Sequence, residues 1–422
     1  MRTSLVRLGY LASIQSGITV DGNRSDGPDD VTLPYLRVAN VQDGHLNLET
    51  ITEIRVPKSL ARSATLKRGD VLMTEGGDLD KLGRGTVWDD EIENCLHQNH
   101  VFAVRTDSTK LLPEYLALVT QSSYARAYFE STGTKTTNLA STSSSKIRDF
   151  RIPLAGLDEQ RQIADFLDAE TARIDRVVAV RQQQLALLAQ RFSQLVDGIV
   201  IGDSNALATI GYTGTAHDWS TGKIARLFAI IPGFAFASEN FVPDGAGTRL
   251  LRGINVASGR IDWAVETVAW DLESFPVDQR FHLRLDDLVI GMDRPWISTG
   301  TRVALVGEND LPSLLLQRVA CIRPRSTSTT QYLRWVLTSS HFQAALESET
   351  TGVSVPHISS DQIGAFTYRL PSPDEQRVIA CLLAVQQQVH VAQRELIDHQ
   401  LVLLAERRQA LIAAAVTGEI TV

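Results

Sequence analysis

Asp158-Glu159-Gln160-Arg161-Gln162-Ile163-Ala164 opens a stretch with no Pro or Gly as far as Asp197. Asp374-Glu375-Gln376-Arg377-Val378-Ile379-Ala380 opens a second such stretch, 216 positions on (374 − 158), which runs to Thr417. Without Pro to remove a backbone donor or Gly to add chain entropy, each stretch can form one unbroken helix. In the first, Ile174, Val178, Arg181, Leu185, Leu188, Phe192, Leu195 and Ile199 alternate spacings of four and three, the signature of a coiled-coil seam. The same offset lands on His390, Arg394, Ile397, Leu401, Leu404, Arg408, Leu411 and Ala415, a seam with the same apolar centre and more polar ends. Two amphipathic helices, each packed on its own domain, would also bury such stripes. The length of the pattern and its duplication in register favour pairing of the two helices, through Leu185, Leu188, Leu195, Leu401, Leu404 and Leu411. A pseudo-two-fold axis would make the pair antiparallel and place one globular domain at each end of a rod.

Outward from the helix starts, the rest of the chain is also duplicated. Leu36-Arg37-Val38-Ala39-Asn40-Val41 is echoed by Leu251-Arg252-Gly253-Ile254-Asn255-Val256, and Gly44 and Gly259 follow at the same interval. Tyr115-Leu116 returns as Tyr332-Leu333, and Ser122-Ser123 as Ser339-Ser340. Each copy begins with short apolar runs broken by Gly, Pro and Asp, such as Asp70-Val71-Leu72-Met73, Val101-Phe102-Ala103-Val104 and Asp287-Leu288-Val289-Ile290. These read as strands bounded by turns. A helical stretch follows, about 114–129 and 331–348, then a Gly/Ser/Thr loop and a closing Pro at Pro153 or Pro371. The expected fold class is α+β: two repeated mixed α/β domains separated by two long helices pairing as an antiparallel coiled coil. The expected boundaries are 1–153, 154–203 (central helix), 204–371 (with a linker to about 220) and 372–422 (terminal helix).

The 422 residues carry a net charge of −8, which argues against a DNA-binding protein that works alone. A subunit of a larger complex can leave phosphate neutralisation to its partners. Beyond Lys223 every basic residue is an arginine, whose planar fork can hold a guanine edge or a phosphate with two bonds; a GC-rich genome favouring arginine codons is the simpler reading of the bias. No apolar run is long enough for a membrane span and no leader is evident, so the cytoplasm is expected. Cys95, Cys321 and Cys381 form no Cys-x-x-Cys pair and read as buried reduced thiols. There is no P-loop, no Asn-Pro-Pro-Tyr and no Asp/Glu-x-Lys arm. His97 and His100 lack further metal-ligand partners, so a turn entering a strand is the reading there, with no metal site. Trp263, Trp270 and Trp296 read as core more readily than as stacking platforms.

Two loop regions per copy offer chemistry suited to nucleic acid. In the first copy these are 76–84, with Lys81 and Arg84, and 133–138, with Lys135, Thr136, Thr137 and Asn138. Their counterparts carry Arg294, Trp296 and Arg302, and Ser354 and His357. Cations, hydroxyls and amides of this kind can contact phosphates and base edges, although ordinary solvated loops have the same composition.

The segments 153–164 and 371–380 resemble those that end each recognition domain in type I restriction–modification specificity subunits. The terminal run Ala410-Leu411-Ile412-Ala413-Ala414-Ala415-Val416-Thr417-Gly418-Glu419-Ile420 is similar to that family's usual end, and Lys67-Arg68-Gly69-Asp70-Val71-Leu72 also fits. The second copy departs by carrying Asp286-Asp287 where the first has Gly69-Asp70. The resemblance implies a non-catalytic reader in which each target-recognition domain contacts one half of a split double-stranded DNA target. The helices would hold the halves at a fixed spacing and dock two modification subunits, which methylate adenine. Two restriction subunits would translocate and cleave DNA. S-adenosylmethionine, ATP and Mg are then expected on the partners, and no cofactor on this chain. The alternatives are a methyltransferase or nuclease with an unrecognised site, and a coiled-coil scaffold without a DNA role.

Overall fold

The computed structural model describes residues 4–19, 27–135, 140–298, 300–325, 327–347 and 357–422. It divides into two compact units, one of residues 1–182 and 398–422, the other of residues 183–397. Each unit joins one globular copy to part of both long helices. The fold class is the expected one, a mixed helix-and-sheet domain repeated twice with two long helices.

In the first unit the central sheet has the order Ala12–Ser16, Val101–Thr106, Val71–Thr74, Gly85–Val87, all antiparallel. The second unit repeats it with Phe228–Pro232, Val319–Pro324, Leu288–Gly291 and Val303–Leu305. Val71–Thr74 and Leu288–Gly291 are buried along their whole length, which is why they read as continuous apolar runs rather than alternating ones. A second sheet in each copy contains a parallel pair, Asp30–Leu36 with Leu96–His97 and Thr248–Leu251 with Ser313–Leu315. An edge ribbon closes each domain, Ser4–Arg7 against Arg151–Leu154 and Ser220–Lys223 against Thr367–Leu370.

The residues that recur between the copies hold this scaffold together. The Asn40 side chain accepts from the Arg37 amide (2.8 Å) and donates to the Asn47 and Thr50 carbonyls (2.9 and 3.0 Å). Asn255 makes the same three bonds with Arg252, Asp262 and Val265. Gln160, fully buried, accepts from Leu112 N and donates to the Lys110 and Ala155 carbonyls. Gln376 does likewise with Thr329 N and Pro371 O. Tyr115 donates to the Pro153 carbonyl at 2.7 Å, Tyr332 to that of Arg369 at 3.4 Å. Leaving any such buried group without its partner costs about 1–3 kcal/mol, so these positions tolerate little change. Asp70 and Arg105 form a two-bonded pair (both 2.7 Å), and Asp287 and Arg323 another (both 2.8 Å), each tying two neighbouring strands of the central sheet. Where the first copy has Gly69 at φ +85°, the second has Asp286 at φ +64°, so the Gly-to-Asp departure leaves the left-handed turn in place.

Each expected single helix is two. Pro113–Gln121 and Ser123–Thr132 are separated at Ser122, and Thr330–Thr338 and Ser340–Glu347 at Ser339. Ser122 is extended (ψ 154°), and its hydroxyl caps the second helix by accepting from Ala125 N. The competition of a serine hydroxyl with the backbone ladder breaks the helix there.

The long helices run Leu157–Ile201 and Pro373–Thr417, 45 residues each. In the central helix, Ile174, Val178, Arg181, Leu185, Leu188, Phe192, Leu195 and Ile199 all lie on the less exposed side, as the spacing requires. In the terminal helix Ile397, Leu401, Leu404, Leu411 and Ala415 do so, whereas Arg394 is exposed. Within the first unit, Ile163, Ala164 and Leu167 share a core with Ile412, Ala415 and Val416, and Arg408 lies 3.7 Å from Asp175 further along. Within the second, Val196, Ile199 and Val200 share a core with Ile379, Ala380 and Leu383, and Phe192 stacks on His390 with ring centroids 4.8 Å apart. In both units the helix segments therefore run antiparallel.

Two further expectations are corrected. Cys95 and Cys321 are buried, but Cys381 is exposed, because it falls off the seam of the terminal helix. Burial pushes the Cys95 thiol up to about 12. His97 is no surface turn: it is fully buried in the strand Leu96–His97, with Nδ1 2.7 Å from the Val101 carbonyl.

Candidate nucleic-acid interface

The two candidate loops of the first copy are distant in sequence and meet in space. Gly76–Gly77 pairs with Ala140–Ser141, which pairs with Thr134–Lys135, forming a small three-stranded sheet. Lys135 is exposed on its outer strand. Lys81 ends the short helix Leu79–Lys81 and pairs with the Asp78 carboxylate, which that hydrogen bond holds below the usual carboxylate range. The loop is anchored by Thr74, whose hydroxyl donates to the Lys81 carbonyl (2.7 Å) and whose own carbonyl accepts from Gly83 N (3.0 Å). Gly83 sits at φ +68° with a Cβ position 2.5 Å from the Phe129 ring, so no larger residue fits this approach. Arg84 is half-buried. Thr136, Thr137 and Asn138 lie outside the described residues.

The second copy brings its counterparts together at the bridge between Asp293 and His357. His357 Nδ1 lies 2.6 Å from Asp293 Oδ1, and Arg318 Nε lies 3.6 Å from Oδ2 of the same carboxylate. Arg294 is exposed, with φ +46°. Trp296, on the strand Trp296–Ile297, is half-buried against the domain core. Arg302 turns inward: its Nε donates to the Val256 carbonyl (2.9 Å) and Nη1 to that of Asp293 (3.2 Å), and burial lowers its pKa. Its guanidinium is largely spent on holding the loop. Ser354 lies outside the described residues.

The sequence reading missed two groups at these junctions. Glu75 follows the strand Val71–Thr74, and its Oε2 lies 2.6 Å from His100 Nδ1. In the second copy Met292 takes the backbone place of Glu75 and Arg318 that of His100, and the carboxylate is that of Asp293, one residue on. The only available signal was position, at the ends of core strands. Chemically, both junctions present exposed donors and a carboxylate acceptor, the groups that contact phosphates and base edges. Among the described residues, no group of three or more His, Cys, Asp or Glu is placed to hold a metal ion. Nor is any described helix long and apolar enough to cross a membrane.

Residues 5–185 match the family model of the type I restriction modification DNA specificity domain. The chain is 31% identical over 168 residues to the EcoAI type I restriction enzyme specificity subunit of Escherichia coli, covering 38% of this chain and 27% of the relative. It is 26% identical over 257 residues to the MjaVIII specificity subunit of Methanocaldococcus jannaschii, covering 58% of this chain and 57% of the relative. The chain thus spans between about a quarter and somewhat over half of the length of these relatives. A solved structure from work on assembly and conformational transition of the type I R-M system has a TM-score of 0.75 at 17% identity, covering 99% of this chain and 98% of that one. The HsdS subunit from Thermoanaerobacter tengcongensis has a TM-score of 0.53 at 18% identity, covering 99% and 97%. At these identities the two structures establish a shared fold.

Proposed function

We propose that this chain, whose residues 5–185 match the model of the type I restriction modification DNA specificity domain, is the DNA-reading subunit of such a complex and has no catalytic site of its own. Each globular copy reads one half of a bipartite, asymmetric double-stranded target, and the long helices fix the unread spacer. Two modification subunits dock on the chain and bring S-adenosylmethionine. Two restriction subunits bring ATP and Mg.

One observation carries this reading. The residues shared by the copies are the internal clasps Asn40/Asn255, Gln160/Gln376, Tyr115/Tyr332 and Asp70/Asp287, while the residues at the exposed loop junctions differ. Dimeric readers use a two-fold axis to read palindromes. A fused pseudo-dimer with one scaffold and two different loop sets reads two different half-sites.

The test is a map of methylated adenines made by the chain together with its modification subunits. A split motif is expected. Replacing residues 1–153 with the matching domain of a relative should change one half-site and leave the other intact. A change in both half-sites, or methylation by the chain alone, would overturn the proposal.

A further inference from the structure

We infer that Arg318 reads a guanine in the half-site of the second domain, with Asp293 and His357 as its positioning residues. This rests on the DNA-reading function proposed above and adds a residue and a base to it.

Backbone bonds define the place. Met292 N donates to the Arg318 carbonyl and Ile358 N to the Met292 carbonyl (both 2.9 Å). In the first copy Glu75 N donates to the His100 carbonyl (2.9 Å) and Thr142 N to the Glu75 carbonyl (2.7 Å). Arg318 therefore stands where His100 stands, one residue before the inner strand of the central sheet. In both copies a carboxylate lies beside the basic residue: Glu75 Oε2 is 2.6 Å from His100 Nδ1, and Asp293, one residue past the counterpart of Glu75, has its Oδ2 3.6 Å from Arg318 Nε. Scaffold pairs such as Asp70–Arg105 and Asp287–Arg323 keep their residue types between the copies; this junction keeps a carboxylate beside a basic residue and changes both the residues and the carboxylate's position. That is the behaviour of a reading position.

The backbone points the same way. Arg318 has φ +71°, and Arg294, next to Asp293, has φ +46°. A left-handed conformation is uncommon for a residue with a long side chain, and such strain gathers at functional sites. The Arg318 side chain is 61% exposed, with its Nε edge turned toward Asp293 at 3.6 Å. A guanidinium presents a planar fork, which matches guanine O6 and N7 in the major groove.

The test uses the assembled methyltransferase complex on duplexes carrying the wild-type motif and each single-base change in it. Arg318→Ala should lose discrimination at one G·C position of the second half-site by roughly 5- to 150-fold, with the first half-site read as before. Arg318→Lys should lose it too, since an ammonium keeps the charge but not the fork. Arg318→Gly, which relieves the left-handed backbone, should give the same loss and controls for folding. Weaker methylation of every duplex with unchanged base preference, or full discrimination by Arg318→Lys, would assign Arg318 to a phosphate and overturn the inference. Unchanged discrimination by Arg318→Ala would overturn it as well. If the wild-type complex methylates no split motif, the function proposed above fails instead, so the two failures are distinguishable.

Discussion

Replacing Arg323 with Met tests what holds the second reading junction in place. The strands that deliver Asp293 and Arg318 are Leu288–Gly291 and Val319–Pro324, and the Asp287–Arg323 pair ties them at their other ends. Asp287 is 4% exposed and Arg323 12%, so neither charge is well solvated. Arg323 gives two bonds to the carboxylate, and Nη1 also donates to the Arg280 carbonyl. Met fills the volume but leaves Asp287 with neutral donors alone, the Arg284 amide among them. Removing one partner of a buried pair costs about 3–5 kcal/mol. For a unit of residues 183–397, at about 2–4 °C per kcal/mol, the midpoint should fall by roughly 6–20 °C. Tryptophan fluorescence reports on this unit, since Trp219, Trp263, Trp270, Trp296 and Trp335 lie in it and only Trp88 lies in the other. Arg105→Met, in the first copy, should cost less, about 3 kcal/mol or below, because Arg105 is 36% exposed and water can replace part of its role. Adding Asp287→Asn to Arg323→Met should recover much of the loss, because no unpaired charge then remains buried. A midpoint shift under about 3 °C for Arg323→Met would refute the reasoning.

Leu188→Asp and Leu404→Asp, each placing a carboxylate on the less exposed side of a long helix, should cost about 2 kcal/mol and prevent assembly with modification subunits. Normal complex formation on size-exclusion chromatography would count against helix pairing as the docking scaffold. Glu375 gives a pH-dependent prediction. Burial alone would raise its pKa, but donors from Tyr212 (2.6 Å), Ser372 N (2.8 Å) and Trp219 (3.2 Å) hold it at about 2, against an ordinary 4.5. A depressed carboxylate stabilises the fold fully above its ordinary value, and the contribution fades as pH falls from 4.5 toward 2. The thermal-midpoint advantage of the native chain over Glu375→Gln should therefore shrink across that range; a constant difference would contradict it.

Elements whose pattern is local were legible from the residues alone. The four–three alternation from Ile174 to Ile199 fixed a helix face, since each residue advances by a constant angle and needs no tertiary partner to do so. Apolar runs such as Val71-Leu72-Met73 marked buried strands, and the duplication of Asn40, Tyr115 and Gln160 as Asn255, Tyr332 and Gln376 marked two copies of one scaffold. Their roles were not legible. Each is a side chain bonded to backbone far along the chain, as Gln160 is to Lys110 and Leu112. His97 and Arg302 offered the same residue types as exposed contacts, and the fold turned both inward: the strand of His97 pairs with Leu36, and Arg302 donates to the Val256 carbonyl, both far away in the chain. The sequence placed Arg294 and His357 in candidate loops but could not bring Arg318 to Asp293. That meeting depends on which strands lie side by side in the central sheet, and strand adjacency is set by long-range pairing that no local pattern encodes.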